Sequence, residues 1–366
     1  MNFIHYLKKI DWLMIGAVLV LCVIGLLTLY SVNFGKPGFI YFQKQALFIL
    51  FGFSVMLAIS LIDFRIFKDY SIFLIILYFI GLALLIGLLI FGKSIRGAHG
   101  WFSFFGLNFQ PVEIVKLILI LILAKYFSLR HIEVYRARHI IISLIYVSLP
   151  AILILLQPDL GSVMIFAAVW MGIVMLAGIK IRHLIVVLIG ASILFSVAWV
   201  GVLRPYQKER ILTFLNPQRD PFGASYNLIQ SKIAIASGGV WGRGIGQGTQ
   251  GRLDFLPEKH SDFIFAAFAE EWGFVGVIFL LLIFGILFFR LIKLSLQSEN
   301  NFSRLFCAGV CLMIFCELFI NISVTIGILP ITGLSLPFVS YGGSGLISHF
   351  IALGIVQSLR VKRNKS

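Results

Sequence analysis

The chain has 366 residues, 60% of them hydrophobic and only 12% charged, with a mean hydropathy of +1.02. Globular chains average about 45–50% apolar and about 25% charged residues, so a soluble enzyme, a nucleic-acid-binding domain and a disordered chain are set aside. The net charge of +15, from 30 Lys and Arg against 15 Asp and Glu, must then be read by its position along a membrane chain.

Ten apolar segments are predicted to cross a bilayer, roughly 11–31, 43–61, 70–91, 109–127, 139–156, 160–178, 183–202, 263–289, 305–327 and 338–359. Each is long enough for a hydrocarbon core of about 30 Å at about 1.5 Å per residue. The fifth and sixth are separated only by Gln157-Pro158-Asp159, where proline breaks the helix. If odd-numbered spans start in the cytoplasm, that side carries 17 Lys and Arg against 4 in the short outer loops. The bias puts both termini in the cytoplasm and makes much of the net charge a topology signal and an attraction to anionic membrane lipids. The connection 203–262, between the seventh and eighth spans, becomes the one large extracytoplasmic loop. The expected fold is an all-α integral membrane protein of about ten transmembrane helices, one polytopic domain over 1–366. Cys22, Cys307, Cys311 and Cys316 all fall inside spans and suggest neither a disulfide framework nor a zinc site.

Ionisable residues inside a membrane are costly and mark functional sites by default. Glu113 and Lys116, three apart on one helical face behind Pro111, read either as a structural ion pair or as part of a site. Glu270 and Glu271 lie eight and nine residues beyond Asp262, deep enough to suit packing or gating, and Glu317 looks isolated. Asp262 has two readings: an N-cap for the eighth helix, or a carboxylate at the water–membrane boundary placed to accept a proton. Residues 225–235 are amphipathic and suit an interfacial helix. Gly238 to Gly248 form a glycine-rich segment around Arg243, either a phosphate cradle or a mobile loop, and Ser340–Gly345 suit close helix packing. Trp101, Phe102, Phe104 and Phe105 read as an interfacial aromatic anchor. With this topology Glu113, Lys116, Asp159, the 203–262 loop, Asp262 and Ser340–Gly345 gather at the outer face, where they would form one outward-opening polar site.

Several of these stretches resemble the SEDS family (shape, elongation, division and sporulation). They include Phe109 to Lys116, Gln157 to Gly161, Asn216-Pro217 with Asp220 to Gly223, Gln230 to Ala234, Leu256 to Phe265, Glu270-Glu271, Gly327 to Pro330 and Ser340 to Ser344. They follow one another over nearly the whole chain, and Gly248-Thr249-Gln250 is similar to the elongation branch more than to the division branch. The chain departs from the family pattern mildly at Val112 and Ser261, and at Gly100, where the family carries Arg and Arg96 is the nearest replacement.

The resemblance implies a peptidoglycan glycosyltransferase that polymerises lipid II into β-1,4 glycan. It works with a class B penicillin-binding protein, a transpeptidase, at the outer face of the cytoplasmic membrane. It implies Asp262 as the essential carboxylate, with Glu113, Lys116 and Asp159 in the substrate site. The reaction needs a base for the acceptor hydroxyl and positive charge for the leaving pyrophosphate. Asp262 is the expected base, and Lys116, Arg210, Lys232 and Arg243 are the expected cations. A divalent cation would serve the same end, although no residue spacing demands one. A lipid II flippase and a non-catalytic scaffold are the rival expectations.

Overall fold

The computed structural model describes residues 9–33, 39–63, 70–95, 98–104, 107–130, 137–179, 181–201, 225–361 and four positions between 208 and 216. Long helices occupy every segment predicted to span. They are α1 (Trp12–Val32), α2 (Ile40–Leu61), α3 (Ser71–Phe91), α4 (Pro111–Ser128), α5 (Ala137–Leu156), α6 (Leu160–Ala177), α7 (Ile181–Gly201), α10 (Ile264–Leu296), α11 (Asn301–Ile326) and α12 (Gly343–Val361), with the shorter α8 (Tyr226–Gly238) and α9 (Thr249–Arg252) between α7 and α10. Among the described residues, eight of the long helices are apolar and long enough to cross a membrane, and α4 and α7 stand at the other two predicted positions.

The sequence suggests only an aromatic anchor between α3 and α4. The structure instead has a small antiparallel sheet there: β1 (Lys93–Ile95), β2 (Ala98–Phe104) and β3 (Leu107–Phe109), in the order β1-β2-β3. Its register places Phe102 opposite Phe109 and Ser103 opposite Asn108. Aromatic residues favour a pleated, half-buried surface, and Trp101, Phe102 and Phe104 of the predicted cluster lie in β2, while Phe105 is outside the described residues.

Helix α4 forms the centre of the bundle. It contacts α3, α5, α6, α11 and α12, and every residue from Val115 to Lys125 is buried. A helix that is apolar all round needs such an all-round environment. Pro111 opens it at a position where the missing N–H costs nothing. Asp159 caps α6, its carboxylate accepting from Ser162 N at 2.9 Å and Ser162 Oγ at 2.7 Å. At the opposite end of the bundle, buried Asp11 caps α1 and pairs with Arg290 of α10 (2.5 Å) and Arg360 of α12 (2.5 Å).

Helix α10 is broken at Gly273, where the backbone adopts φ +64° and ψ −165°. The glycine-rich segment packs into the break: Phe274 N donates to Gly239 O at 2.9 Å and Val275 N to Val240 O at 3.1 Å. Backbone groups freed inside a membrane need such internal partners. A Cβ on Gly273 would lie 2.2 Å from Gly242 N. Gly273→Ala is therefore expected to cost about 1–3 kcal/mol in backbone strain alone, plus the clash. A thermal unfolding curve in detergent that matched wild type would refute this docking.

Helix α8 is amphipathic as expected, and its buried residues Leu228, Ser231, Ala234 and Gly238 are on a helix that packs against α10 and α11. Ser231 Oγ donates to Thr325 O at 2.8 Å and fastens it there.

Candidate functional site

The starts of α2, α4, α10 and α12 meet at one end of the bundle around an open cavity of about 390 Å³. Its wall includes Glu113 from α4, Glu258 to Asp262 before α10 (without Lys259), Tyr341 to Gly345 at the start of α12, Tyr41 and Lys44 from α2, and Trp101 from β2. The carboxylate of Asp262 does not cap α10: the cap position is Phe263, with no side-chain hydrogen bond. The N-cap reading is thereby corrected, and the residue lines the cavity instead.

The backbone beneath Asp262 is pinned from several directions. Asn321 Nδ2 on α11 donates to Asp262 O at 3.0 Å and to Leu334 O at 2.7 Å. Ser340 Oγ donates to Ser261 O at 2.6 Å, and Tyr341 N to His260 O at 2.8 Å. Glu258, at the turn leading in, stands in the left-handed region with φ +54°, a strained conformation of the kind that clusters at functional sites. Tyr41 stacks on His260 with ring centroids 4.3 Å apart and meets Tyr341 edge-on at 5.0 Å.

Behind Glu113 runs a chain of buried charges. Lys116 Nζ lies 2.9 Å from Glu113 Oε2 and 2.5 Å from Glu317 Oε1, and His349 Nε2 donates to Glu317 Oε2 at 2.6 Å. Lys116, Glu317 and His349 are each about 3% exposed, whereas Glu113 faces the cavity. Glu317, which looks isolated along the sequence, holds two partners. Lys116 is placed behind the wall, between two carboxylates, and not among the lining residues.

The other predicted site residues lie farther out. Asp159 is the cap of α6, and Gly161 beside it packs on Thr332 and Leu334, so it supports the far side of the 330–340 segment and does not line the cavity. Exposed Lys232 lies against Gly327 at the end of α11. Arg243 donates to Ser237 O and Thr249 Oγ1, both at 3.2 Å. Neither lines the cavity, and Arg210 and Arg96 fall outside the described residues.

Several backbone N–H groups of the glycine-rich segment are held by protein acceptors: Arg243 N donates to Glu270 O and Gly244 N to Glu271 O, both at 3.0 Å. Within it, Gly246 N donates to Ser31 Oγ at 2.6 Å and to Glu271 at 3.3 Å, and Glu271 also accepts from Ser31 Oγ; in α9, just after it, Gln250 N (3.0 Å) and Gly251 N (3.2 Å) donate to Glu270. Glu113, Glu258 and Asp262 share the cavity. Among the described residues, though, no three His, Cys, Asp or Glu side chains stand close enough to hold one metal ion.

Sequence patterns missed the contribution of α2. Lys44 counts there only as an orientation charge, yet it lines the cavity. Gln45, fully buried, donates to Ser340 O at 3.0 Å and accepts from Gly342 N at 3.3 Å. An amide near the start of an apolar span was the available signal, since a buried polar group needs partners.

This arrangement has counterparts. The FtsW/RodA/SpoVE family model, described as cell cycle protein, matches residues 9–365. The Escherichia coli K12 protein named peptidoglycan glycosyltransferase MrdB is 34% identical over 354 residues, covering 97% of this chain and 94% of that protein. A chain from a solved structure described as the structural coordination of polymerization and crosslinking by a peptidoglycan synthase complex superposes with a TM-score of 0.83. It is 32% identical, with 98% and 99% of the two chains covered. The crystal structure of the Thermus thermophilus rod shape determining protein RodA gives a TM-score of 0.73 at 29% identity, covering 98% of each chain.

Proposed function

The chain belongs to the FtsW/RodA/SpoVE (SEDS) family, as an integral membrane peptidoglycan glycosyltransferase, and from that premise we propose that it polymerises lipid II during cell elongation with Asp262 as general base. The observation that carries the proposal is the placement of Asp262. The residue lines an open polar cavity at one end of a membrane bundle, on a backbone pinned by Asn321, Ser340 and Tyr341, and the helix it precedes is not capped by it.

In the proposed reaction the acceptor 4-hydroxyl gives its proton to the Asp262 carboxylate. Its oxygen forms a bond to the anomeric carbon of the donor, and the bond from that carbon to the lipid pyrophosphate breaks with inversion. A base held within hydrogen-bond reach of the hydroxyl supplies the rate, and positive charge near the departing pyrophosphate lowers its cost. Lys44 lines the cavity and supplies that charge in this scheme, while Lys116 acts indirectly by holding Glu113 at the wall. Glu113 and Tyr341 are placed to accept and donate hydrogen bonds to sugar hydroxyls.

The cavity faces the extracytoplasmic side of the cytoplasmic membrane in this scheme, a placement that the distribution of Lys and Arg supports. The partner is a class B penicillin-binding protein that cross-links the new strand. The likeness to a synthase complex that coordinates polymerisation with crosslinking supports this pairing. The test is the purified protein in liposomes with lipid II and the cognate transpeptidase. Glycan chains are the expected product, and relocated but unpolymerised lipid II would overturn the reading in favour of a flippase.

A further inference from the structure

The buried charge chain behind the cavity has more members than the reaction needs. Only Glu113 reaches the cavity; Glu317 and His349 are about 97% buried and lie beyond Lys116. Three helices meet in this chain, α4 through Glu113 and Lys116, α11 through Glu317 and α12 through His349. Helix α12 also meets Glu113 directly. Ser348 Oγ donates to Glu113 O at 2.7 Å, and Gly345 sits so near that a Cβ there would lie 3.5 Å from the carboxylate.

A lysine ammonium is a compact charge on a flexible stem, so its location follows the pull of its partners. Lys116 stands between Glu113 at 2.9 Å and Glu317 at 2.5 Å. The His349 hydrogen bond occupies the far oxygen of Glu317 and fixes how strongly and from where Glu317 pulls. Removing that bond, or the Glu317 charge, shifts Lys116 and with it the one carboxylate of the chain that faces the substrate.

Resting on the polymerase reading of the cavity, we propose that Glu317 and His349 are positioning residues that act through Lys116 to set Glu113 for binding the sugar of the lipid substrate. Glu113 touches substrate before and during the reaction alike, so its displacement raises KM and leaves kcat in place. The substitution His349→Gln retains an amide donor where the imidazole Nε2 stands; His349→Leu removes the donor altogether.

The test measures KM and kcat for lipid II polymerisation, with the unfolding temperature of each variant in detergent as a control. His349→Leu and Glu317→Gln are each expected to raise KM about tenfold, the equivalent of one well-placed hydrogen bond, with kcat within twofold of wild type. His349→Gln is expected to restore wild-type KM. Adding His349→Leu to Glu317→Gln is expected to raise KM no further, because the two act through one contact. If His349→Leu does not purify folded, the contrast between Glu317→Gln and His349→Gln decides in its place.

Unchanged KM in Glu317→Gln and His349→Leu, equal defects in His349→Gln and His349→Leu, or additive defects in the double variant would overturn the proposal. Asp262→Asn in the same assay separates the two readings. If it is inactive while the network variants are silent, the positioning role alone fails. If it polymerises at the wild-type rate, the assignment of the base fails.

Discussion

Asp262→Asn is expected to stop glycan polymerisation while leaving the protein folded and able to bind lipid II. Asparagine keeps the shape and hydrogen-bonding reach of the side chain and removes only its capacity to take a proton. A positioned general base contributes about 10²–10⁴-fold to rate, and a loss of that size is the expected result. Folding is spared because the structural bonds here come from the backbone carbonyls of Ser261 and Asp262, which the substitution leaves in place. Were Asp262 the cap of α10, its replacement by Asn, an equally good cap, would change little. The uncapped start of α10 and the cavity position make the opposite prediction. A lipid II polymerisation rate within twofold of wild type would overturn it.

Lys116→Met is expected to damage the fold more than any substitution on the cavity wall. The ammonium is buried between Glu113 and Glu317, and methionine of similar length leaves both carboxylates facing each other without a counter-charge. Breaking a buried pair by removing one partner costs about 3–5 kcal/mol. A drop in unfolding temperature in detergent, together with lost polymerisation, is the expected outcome. Lys232→Met is the control: that lysine is exposed, and a change within about 0.5 kcal/mol is expected. If both variants unfolded at the wild-type temperature, the buried chain would not be a structural element.

The two predictions separate residues that look alike in the sequence. Asp159 and Asp262 both precede an apolar helix at the same face, and both suit an N-cap. In the fold Asp159 does cap, through Ser162, and Asp262 does not. Lys116 and Lys44 are both lone cations near the start of a span. One is locked between carboxylates behind the wall and the other lines the cavity. Arg290 and Arg360 count along the chain as orientation charges, and both also close on buried Asp11. Sequence distance does not distinguish these cases, since Lys116 meets Glu317, and Arg290 and Arg360 meet Asp11, across hundreds of residues of chain.

The sequence by itself determined the helical membrane class, the places of the long helices and the gathering of Glu113, Asp262 and Tyr341–Gly345 at one end. Hydropathy and the alternation of short loops dictate these, because a bilayer admits backbone only where its polar groups are satisfied within the segment. Motif resemblance added the chemistry. Only the tertiary structure decided that the glycine-rich segment serves Glu270, Glu271 and the break at Gly273, that α8 docks on α10 and α11, and that an aromatic stretch forms a sheet. It also decided that Glu317 and His349 stand behind Glu113. Apart from the local hairpins of the sheet, these are contacts between segments distant in the chain, most of them pairings of buried polar groups. Burial makes each pairing obligatory, but which partner satisfies it depends on how the helices pack, and that is not written in local composition.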